Sequence, residues 1–406
     1  MYDVTIIGAG PAGMIAAITA ARAGRNVCLI EHNDKPGKKI LVTGNGKCNI
    51  TNMDMAPSYY RSNSKESYFS VIESFGPNEL RIFLMEIGLI TKEKNGYVYP
   101  FSEQASSVLD VLKNEISRLR INLMTEVNVT GISPSFIITT DHGIIESYSL
   151  ILACGSKCAP KTGSDGSGYE LAKSLGHNII TPIPALVQIK CKENFFREMS
   201  GVRVNATVTL TVDGIKKDGD TGELQITDYG ISGIPVFQIS RCIKREIDKK
   251  SNPLVHINFM PGYKDKDVRK ILVNLFSCNP KIDYISALNG LFNRKLASVI
   301  LKSSGVDKGR PCREYTDEVI NKICRNILDF VVTPTDTNGF ENAQVCAGGV
   351  DLDEIDLTTM ESRIVKNLYF AGEILDVDGK CGGYNLQWAF SSGKLAGLSA
   401  EGIKND

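Results

Sequence analysis

The chain has little of what several protein classes require. Its 406 residues include one tryptophan and four histidines, and its formal net charge is zero. No histidine lies near a cysteine at a ligand-like spacing, which argues against zinc and iron–sulfur sites, so we predict no metal. A zero net charge gives no overall attraction to nucleic acid or to an acidic membrane surface. We therefore expect no nucleic-acid partner and no membrane partner.

The chain also has no apolar run of membrane-spanning length. The pattern predicts a first core strand from residue 2, so we expect no signal peptide. Its eleven cysteines are dispersed, and the closest pair, Cys154 and Cys158, has three residues between its members. Such dispersed cysteines fit reduced thiols, so we predict a cytoplasmic location. The sequence does not predict the oligomeric state.

What the chain does have is a glycine-rich turn between a strand and a helix at its start. The glycines permit a tight turn, a close approach to a pyrophosphate, and close packing of helix on strand. The following strand ends in Glu31, an acceptor for the ribose hydroxyls of a dinucleotide. The alternative is an ordinary strand–helix–strand turn with Glu31 as a surface charge. The candidate cofactor contacts here are Gly8, Gly10, Pro11, Ala12, Gly13 and Glu31.

Two further glycine-rich segments favour FAD over NAD(P). The first, within a loop predicted over Lys35–Asn52, is too long for a plain nicotinamide fold, and its donors could reach a pyrophosphate and a flavin ring. The second, residues 370–389, runs through a glycine turn into a helix whose N–H groups would face the pyrimidine edge of the flavin. Asp376 could hold a ribityl hydroxyl. The alternatives are a flexible basic loop and a loop shaped only for packing.

The remaining candidate contacts come from these segments, from a strand predicted over Ile121–Val129, and from the turn after a strand predicted over Ser147–Ala153. They are Lys39, Thr43, Gly44, Gly46, Lys47, Cys48, Asn49, Val127, Gly155, Gly372, Glu373, Asp376, Gly383, Tyr384, Asn385 and Leu386.

We predict an α/β fold with an inserted region. Residues 1–186 and 346–406 form a Rossmann-like FAD-binding domain, residues 187–262 and 326–345 a β-rich substrate domain, and residues 263–325 a helical subdomain. The helical part carries thirteen Lys or Arg against seven Asp or Glu. A solvated helical face is the simpler interpretation, and a docking patch for an acidic partner is the alternative.

Five segments together give the chain a family resemblance. They are Gly8–Gly13, Thr43–Asn52, Thr162–Tyr169, Tyr229–Gly233 and Gly372–Gln387. The chain resembles, over its full length, the BaiN-like (YhiN-type) FAD-dependent oxidoreductases, which include enzymes described as aminoacetone oxidases and as dehydro-bile-acid reductases. The resemblance implies an FAD domain, an inserted barrel-like domain and a small helical domain.

The chain departs from this family at two places. Thr43 and Lys47 stand where the family often has Ser and Arg, and lysine lacks the bidentate fork of arginine. Thr227-Asp228-Tyr229-Gly230 stands where Thr-His-Trp-Gly is common. The second departure concerns the substrate rather than the cofactor.

Disulfide reductases with two dinucleotide sites are not indicated. The chain has no second strand–GxGxxG–helix unit, and Cys48 has Thr43, not a cysteine, five residues before it. A nicotinamide donor, NADH or NADPH, would therefore visit only transiently. No histidine in these loops is placed to attach a flavin, so we predict noncovalent FAD.

Catalytic side chains are harder to predict, because hydride transfer to or from a flavin depends mainly on positioning. A proton donor would assist reduction of a double bond. The candidates are Cys48, Tyr229, Tyr384 and Lys380, and each also has a structural interpretation as a buried thiol, a core tyrosine or a surface lysine.

Three functions remain open from the sequence. The preferred one is an NAD(P)H-linked reduction of an activated C=C bond, as in an enone of a steroid or bile-acid-like compound. The second is an amine oxidase of the aminoacetone type that produces hydrogen peroxide. The third is a flavin-bearing nucleic-acid-binding or regulatory protein, supported only by the basic helical part.

Overall fold

The computed structural model describes residues 1–65 and 67–402. Contacts divide the chain into two compact units, the first formed by Met1–Ile183 with Ala343–Asp406 and the second by Pro184–Asn342. Each unit has its own apolar core. The predicted subdivision of the insert into a barrel-like and a helical part stays a prediction.

The strands are, in chain order, β1 (Tyr2–Ile7), β2 (Val27–Ile30), β3 (Thr51–Asn52), β4 (Tyr60–Arg61), β5 (Thr91–Lys94), β6 (Tyr97–Pro100), β7 (Asn122–Met124), β8 (Val129–Ile132), β9 (Ile137–Thr140), β10 (Gly143–Leu152), β11 (Ile179–Ala185), β12 (Ile189–Cys191), β13 (Arg203–Val212), β14 (Ile215–Ile226), β15 (Gly230–Gly233), β16 (Pro253–Asn258), β17 (Phe330–Val332), β18 (Pro334–Thr337), β19 (Val345–Val350), β20 (Ile355–Asp356), β21 (Glu361–Ser362), β22 (Leu368–Phe370) and β23 (Asp378–Gly379). The helices are α1 (Pro11–Arg22), α2 (Lys38–Val42), α3 (Phe69–Ser74), α4 (Pro77–Glu86), α5 (Ala105–Arg118), α6 (Ser167–Ser174), α7 (Ile234–Asp248), α8 (Asp265–Cys278), α9 (Tyr284–Leu288), α10 (Arg294–Ser303), α11 (Asp317–Leu328) and α12 (Tyr384–Ser399).

The first unit is built on a parallel sheet in the order β7-β2-β1-β10-β22. This is the order of a Rossmann half, in which β1, at the centre, is followed by the helix that carries the phosphate-binding turn. β1 and β2 are almost continuously apolar and buried, as expected for parallel strands covered on both faces. The predicted α/β fold class is confirmed.

Helices α1 and α12 pack unusually closely over this sheet. A Cβ on Gly393 would lie 2.3 Å from the Ala12 carbonyl oxygen, and a Cβ on Gly397 would lie 2.4 Å from the Ala16 carbonyl oxygen. The two glycines, one turn apart on α12, therefore let its backbone touch that of α1. This contact ties the C-terminal helix to the glycine turn at the start of the chain.

The second unit contains an antiparallel sheet in the order β17-β16-β13-β14-β15-β12-β18. Helix α7 buries Val236, Ile239 and Ile243, and its apolar residues belong to the same core as the strands. Phe276 of α8 and Leu296 of α10 also belong to that core. The strands and helices of this unit thus share one interior.

The structure corrects two expectations about secondary structure. The segment predicted as a loop over Lys35–Asn52 contains α2, a 3₁₀ turn at Thr43–Gly46 and β3. Helix α7 lies in the part of the insert that was predicted to be β-rich.

Among the described residues, none of the helices combines the length and the apolar composition needed to cross a membrane.

Candidate cofactor site

The turn between β1 and α1 is packed on one side and open on the other. The Gly8 N–H donates to the Ile30 carbonyl (2.8 Å), its φ is +103°, and a Cβ there would lie 2.4 Å from the Ala153 carbonyl oxygen. A Cβ on Gly13 would lie 1.9 Å from the Gly8 carbonyl oxygen. In the described structure, a Cβ on Gly10 would meet no atom within 4 Å. The open side at Gly10 leaves room for a ligand to approach the backbone.

Helix α1 begins at this open side with free donors. Gly10 is its N-cap residue, Pro11 stands in its first turn, and within the described chain no side chain caps it. The first N–H groups of a helix lack intrahelical acceptors, and the positive end of the helix attracts anions. This arrangement suits a pyrophosphate.

Glu31 is buried where β2 ends, and its carboxylate organises the turn. Oε2 accepts from the Ala9 N–H (3.1 Å), and Oε1 accepts from the Asn33 N–H (2.9 Å) and side-chain amide (2.8 Å). The Val127 N–H donates to the Glu31 carbonyl at 3.1 Å, so these two predicted contacts are neighbours. A carboxylate offers about four acceptor positions, which leaves one for a ribose hydroxyl. That role stays a prediction.

The glycine-rich loop after β10 also reaches this region. A Cβ on Gly163 would lie 2.2 Å from the Asn33 side-chain nitrogen, and one on Gly155 would lie 2.8 Å from the Ser164 hydroxyl. The sequence predicted Gly155 as a contact but did not include Gly163, Ser164 or Asn33. Gly163 adopts a φ of +102°, which glycine tolerates best. A glycine at this position is therefore the feature from which the sequence could have indicated a special turn.

The three glycine-rich segments converge in the structure. The Gly37 N–H donates to the Ala9 carbonyl (2.9 Å), which joins the second segment to the first turn. A Cβ on Gly372 would lie 2.7 Å from the Ala12 Cβ, and a Cβ on Gly383 would lie 2.6 Å from the Thr51 backbone. Segments separated by hundreds of residues therefore form one continuous cradle.

An ion pair links the second and third segments. The Lys39 ammonium binds the Glu373 carboxylate, and Glu373 Oε1 also accepts from the Cys346 N–H at 3.3 Å. Burial acts to lower the pKa of Lys39, but the charge and the hydrogen bond of Glu373 outweigh it and raise that pKa. Lys39 is therefore a fixed cation in the cradle wall.

The turn at residues 43–48 is tightly wound. Gly44, Asn45 and Cys48 adopt φ of +56°, +53° and +56°, and the Cys48 N–H donates to the Thr43 carbonyl (3.1 Å). The Thr43 hydroxyl donates to the Ile40 carbonyl at 2.7 Å, so it serves the turn itself. Gly46 lies in the same turn, and the Asn49 backbone nitrogen would lie 2.9 Å from a Cβ on Gly44.

Lys47 points to a different partner in this structure. Its ammonium lies 2.8 Å from Glu103, which also pairs with Lys92 at 2.7 Å. Hydrogen bonds from these two lysines, Lys47 first, lower the pKa of Glu103 to about 2. Lys47 is exposed and Lys92 and Glu103 are partly exposed, so the cluster is screened by solvent. A cofactor contact of Lys47 stays a prediction that would require it to leave this cluster.

Asp376 carries a buried acceptor that nothing in the described chain satisfies. Its side chain is 1% exposed, and its Oδ2 accepts from the Asn63 N–H and side-chain amide, both at 2.8 Å. Its Oδ1 has no hydrogen-bond partner in the described structure. A buried carboxylate oxygen without a donor is costly. A ligand hydroxyl is the group that would satisfy it, as predicted for a ribityl hydroxyl.

Helix α12 begins at the other end of the cradle. Its N-cap residue, Gly383, has φ +95°, and in the described chain no side chain caps the helix. The Asn385 side chain accepts from the Gly379 N–H (2.8 Å) and donates to the Gly379 carbonyl (2.9 Å), which fixes the preceding loop. Leu386 is partly buried against the core. The free N–H groups here suit an electron-rich ring edge.

Two residues that the sequence did not single out anchor this helix. The buried Gln387 accepts a short hydrogen bond from the Thr51 hydroxyl and donates to the Phe75 carbonyl (2.8 Å). The Trp388 indole donates to the Gly372 carbonyl at 3.1 Å. Both side chains hold the cradle from behind rather than lining it.

The four candidate proton donors have different surroundings. Burial raises the pKa of Cys48 to about 11 and also raises that of Tyr384. The Lys380 ammonium lies over the Tyr59 ring, 4.8 Å from its centroid. Tyr229 belongs to the second unit, and its hydroxyl accepts from the Asn338 amide at 2.9 Å. A catalytic role for any of them stays a prediction.

The chain is similar to several known proteins. Residues 2–399 match the family described as HI0933-like protein Rossmann domain. The chain is 42% identical, over 98% of its length and 99% of the relative's, to the 3-dehydro-bile acid delta(4,6)-reductase of Clostridium scindens. It is 30% identical, over 97% of each chain, to the ribosomal RNA dihydrouridine synthase of Haemophilus influenzae. A solved 3-ketosteroid-delta4-(5alpha)-dehydrogenase from Rhodococcus jostii is 14% identical over 98% of this chain and 96% of its own, with a TM-score of 0.49.

The family match and the relative matched over nearly the full length identify the chain as an FAD-dependent oxidoreductase with a Rossmann domain. The chain belongs to the HI0933-like Rossmann-domain family, and the resemblance to the BaiN-like (YhiN-type) proteins is confirmed.

Proposed function

We propose that the protein uses FAD to reduce a C=C bond conjugated to a carbonyl group in a small steroid or bile-acid-like molecule, with NADH or NADPH as a transient electron donor. The observation that carries this proposal is the full-length relative, 42% identical, that is named a 3-dehydro-bile acid delta(4,6)-reductase. An identity of this level over 98% of the chain covers both units.

The residues of the first unit have separate tasks in this proposal. The start of α1 and the Gly8–Gly13 turn hold the pyrophosphate, Glu31 accepts from the ribose, and Oδ1 of Asp376 accepts from a ribityl hydroxyl. Noncovalently bound FAD supplies two-electron chemistry at its ring. The start of α12 places N–H donors where negative charge on that ring is stabilised.

The substrates in the names of the two relatives share one chemical feature. A 3-oxo-4,6-diene and a uracil ring both contain a C=C bond conjugated to a carbonyl group. Adding a hydride to the far carbon of such a bond moves charge onto the carbonyl oxygen, and a proton then completes the reduction. The reaction class is therefore supported by both names, whereas the substrate class rests on the closer relative.

The test begins with purified protein saturated with FAD under anaerobic conditions. We expect NADH or NADPH to bleach the flavin absorbance and a 3-oxo-4,6-diene bile acid to restore it, with a product heavier by two hydrogen atoms. If neither nucleotide bleaches the flavin, the nicotinamide part of the proposal is wrong. If aminoacetone bleaches the flavin and oxygen restores it with release of peroxide, the amine-oxidase alternative replaces this proposal.

A second candidate is reduction of uridine in RNA. Two observations favour it: the name of the relative that is 30% identical over 97% of the chain, and the basic character of residues 263–325. Of the thirteen Lys and Arg there, twelve are exposed and only Arg269 is half-buried. Such a surface suits a phosphate backbone.

RNA binding separates the two candidates. Under the bile-acid proposal, ribosomal RNA binds weakly, and its uridines are unchanged after incubation with reduced protein. Under the RNA candidate, affinity falls steeply with salt, and dihydrouridine accumulates. Reversing Lys281 and Arg313 to Glu, both exposed, would then weaken RNA binding without affecting bleaching by nucleotide.

A further inference from the structure

Two cysteines that are far apart in the sequence meet inside the first unit. Cys158 lies in the loop after β10 and Cys346 lies on β19, 188 residues apart, with their Sγ atoms separated by 3.1 Å. Their exposed fractions are 0% and 1%. A disulfide needs Sγ atoms about 2.05 Å apart, so only a small movement separates this contact from a covalent bond.

The surroundings make the two thiols unequal. The hydrogen bond with Cys158 lowers the pKa of Cys346 despite burial, and the Ser156 hydroxyl and a backbone N–H act in the same direction. Burial, followed by the contact with Cys346, raises the pKa of Cys158. Cys346 is therefore the better nucleophile, and Cys158 retains its proton.

The pair adjoins the wall of the cofactor cradle. The Cys346 N–H donates to Glu373, which binds Lys39, and the charges of Lys39 and Glu373 act on both thiols. The site is built from residues of the first unit alone. It uses neither the substrate nor the electron donor of the proposed function.

We propose that Cys158 and Cys346 form a redox-active dithiol that hydrogen peroxide oxidises to an intramolecular disulfide. The Cys346 thiolate attacks one peroxide oxygen, the O–O bond breaks, and the departing hydroxide takes up a proton to leave as water, giving a sulfenic acid. The Cys158 sulfur then attacks that sulfur, the S–O bond breaks, and the hydroxyl leaves as water with the Cys158 proton. The sum is two thiols and one peroxide giving one disulfide and two waters.

Mapping the crosslink in the full chain tests the proposal. FAD-loaded protein is treated with peroxide, unfolded in the presence of iodoacetamide so that its free thiols are blocked, and digested with trypsin. Cys158 is then the sole cysteine of peptide 158–161, and Cys346 the sole cysteine of peptide 326–363. We expect both unlinked peptides to be lost and a linked species to form that is lighter than their sum by two hydrogen atoms and is cleaved by dithiothreitol.

Substitutions of single cysteines test which thiol is oxidised first. In C158S we expect no crosslink, and Cys346 should stop at a sulfenic acid that dimedone traps. C312S, which removes another buried thiol in the second unit, should leave the crosslink unchanged. Exposed Cys278 reports that the peroxide dose is effective. The proposal is wrong if Cys278 is oxidised in wild-type protein while peptides 158–161 and 326–363 remain unlinked.

Discussion

At the scale of the residue, Asp376 carries the most specific prediction about the cofactor. In Asp376→Asn the side-chain carbonyl oxygen can still accept from the two Asn63 donors. The amide NH₂ group then replaces Oδ1, and it cannot accept a hydrogen bond from the ribityl hydroxyl. A hydrogen bond to a charged acceptor contributes roughly 1.5–3 kcal/mol. We therefore expect FAD affinity, measured by calorimetry, to fall about tenfold to a hundredfold.

The matched control is Asp353→Asn, a carboxylate-to-amide change at an exposed side chain that accepts from the Ser64 hydroxyl. It should leave the FAD dissociation constant unchanged. Both variants should still unfold cooperatively when FAD is absent, which shows that they are folded. Equal affinity in the Asp376 variant and the wild type would contradict the role given to Oδ1.

Cys48 carries a prediction about pH. Its folded pKa of about 11 lies above its ordinary value of 9.0, because burial penalises the thiolate. The native state therefore binds this proton more tightly than the unfolded state, and the stability that this group contributes is present below pH 9 and lost as pH rises through 11. At pH 8 we expect iodoacetamide to label exposed Cys278 and to leave Cys48 unmodified in the folded protein. Labelling of both at similar rates would contradict the burial argument.

At the scale of the element, the contact between α1 and α12 is the one we expect to tolerate least change. Alanine improves the intrinsic helix propensity of a glycine position by about 1 kcal/mol. In Gly393→Ala, however, the new Cβ would meet a backbone oxygen at 2.3 Å, and no side-chain rotation can relieve that contact. Such overpacking typically lowers the free energy of unfolding by about 1–3 kcal/mol.

We therefore expect Gly393→Ala to lower the unfolding temperature by several degrees and Gly393→Ala with Gly397→Ala to lower it further, both measured by calorimetry. Leu398→Ala on the same helix removes a side chain that is 53% exposed and should change it little. A Gly393 variant as stable as the wild type would mean that the two helices can separate without loss.

A clear apolar period makes a helix predictable unless the surrounding pattern indicates strands, and very short helices carry no such period. Helix α5 can be predicted from the sequence, because its apolar residues recur at Val108, Leu112 and Ile116. Helix α2 has five residues, too few for a periodic pattern, and it was assigned to a loop. Helix α7 was missed between strands, although Pro235 in its first turn and the spacing of Val236, Ile239 and Ile243 indicate a helix.

At the scale of the whole molecule, the sequence predicted which segments would meet but not which side chains would touch. Glycine patterns mark turns locally, and the Rossmann topology brings such turns to one edge of a parallel sheet. The ion pair between Lys39 and Glu373 joins residues 334 apart, and the thiol contact joins residues 188 apart. A local sequence pattern does not indicate contacts between residues so far apart in the sequence, so these contacts are seen only in the folded chain.

The division into units yields a last prediction about the whole chain. Every predicted cofactor contact, from Gly8 to Leu386, lies in the first unit, and the second unit is one continuous segment that begins at Pro184, near the end of β11, and ends at Asn342, before β19. These two strands pair with each other, so the chain leaves and re-enters the first unit at paired strands. A variant in which residues 184–342 are replaced by a flexible Gly/Ser linker should therefore bind FAD within about tenfold of the wild-type affinity. Introducing Asp376→Asn into that variant should weaken FAD binding by the same factor as in the full chain. If the linker variant folds but binds no FAD, the second unit contributes to the cofactor site.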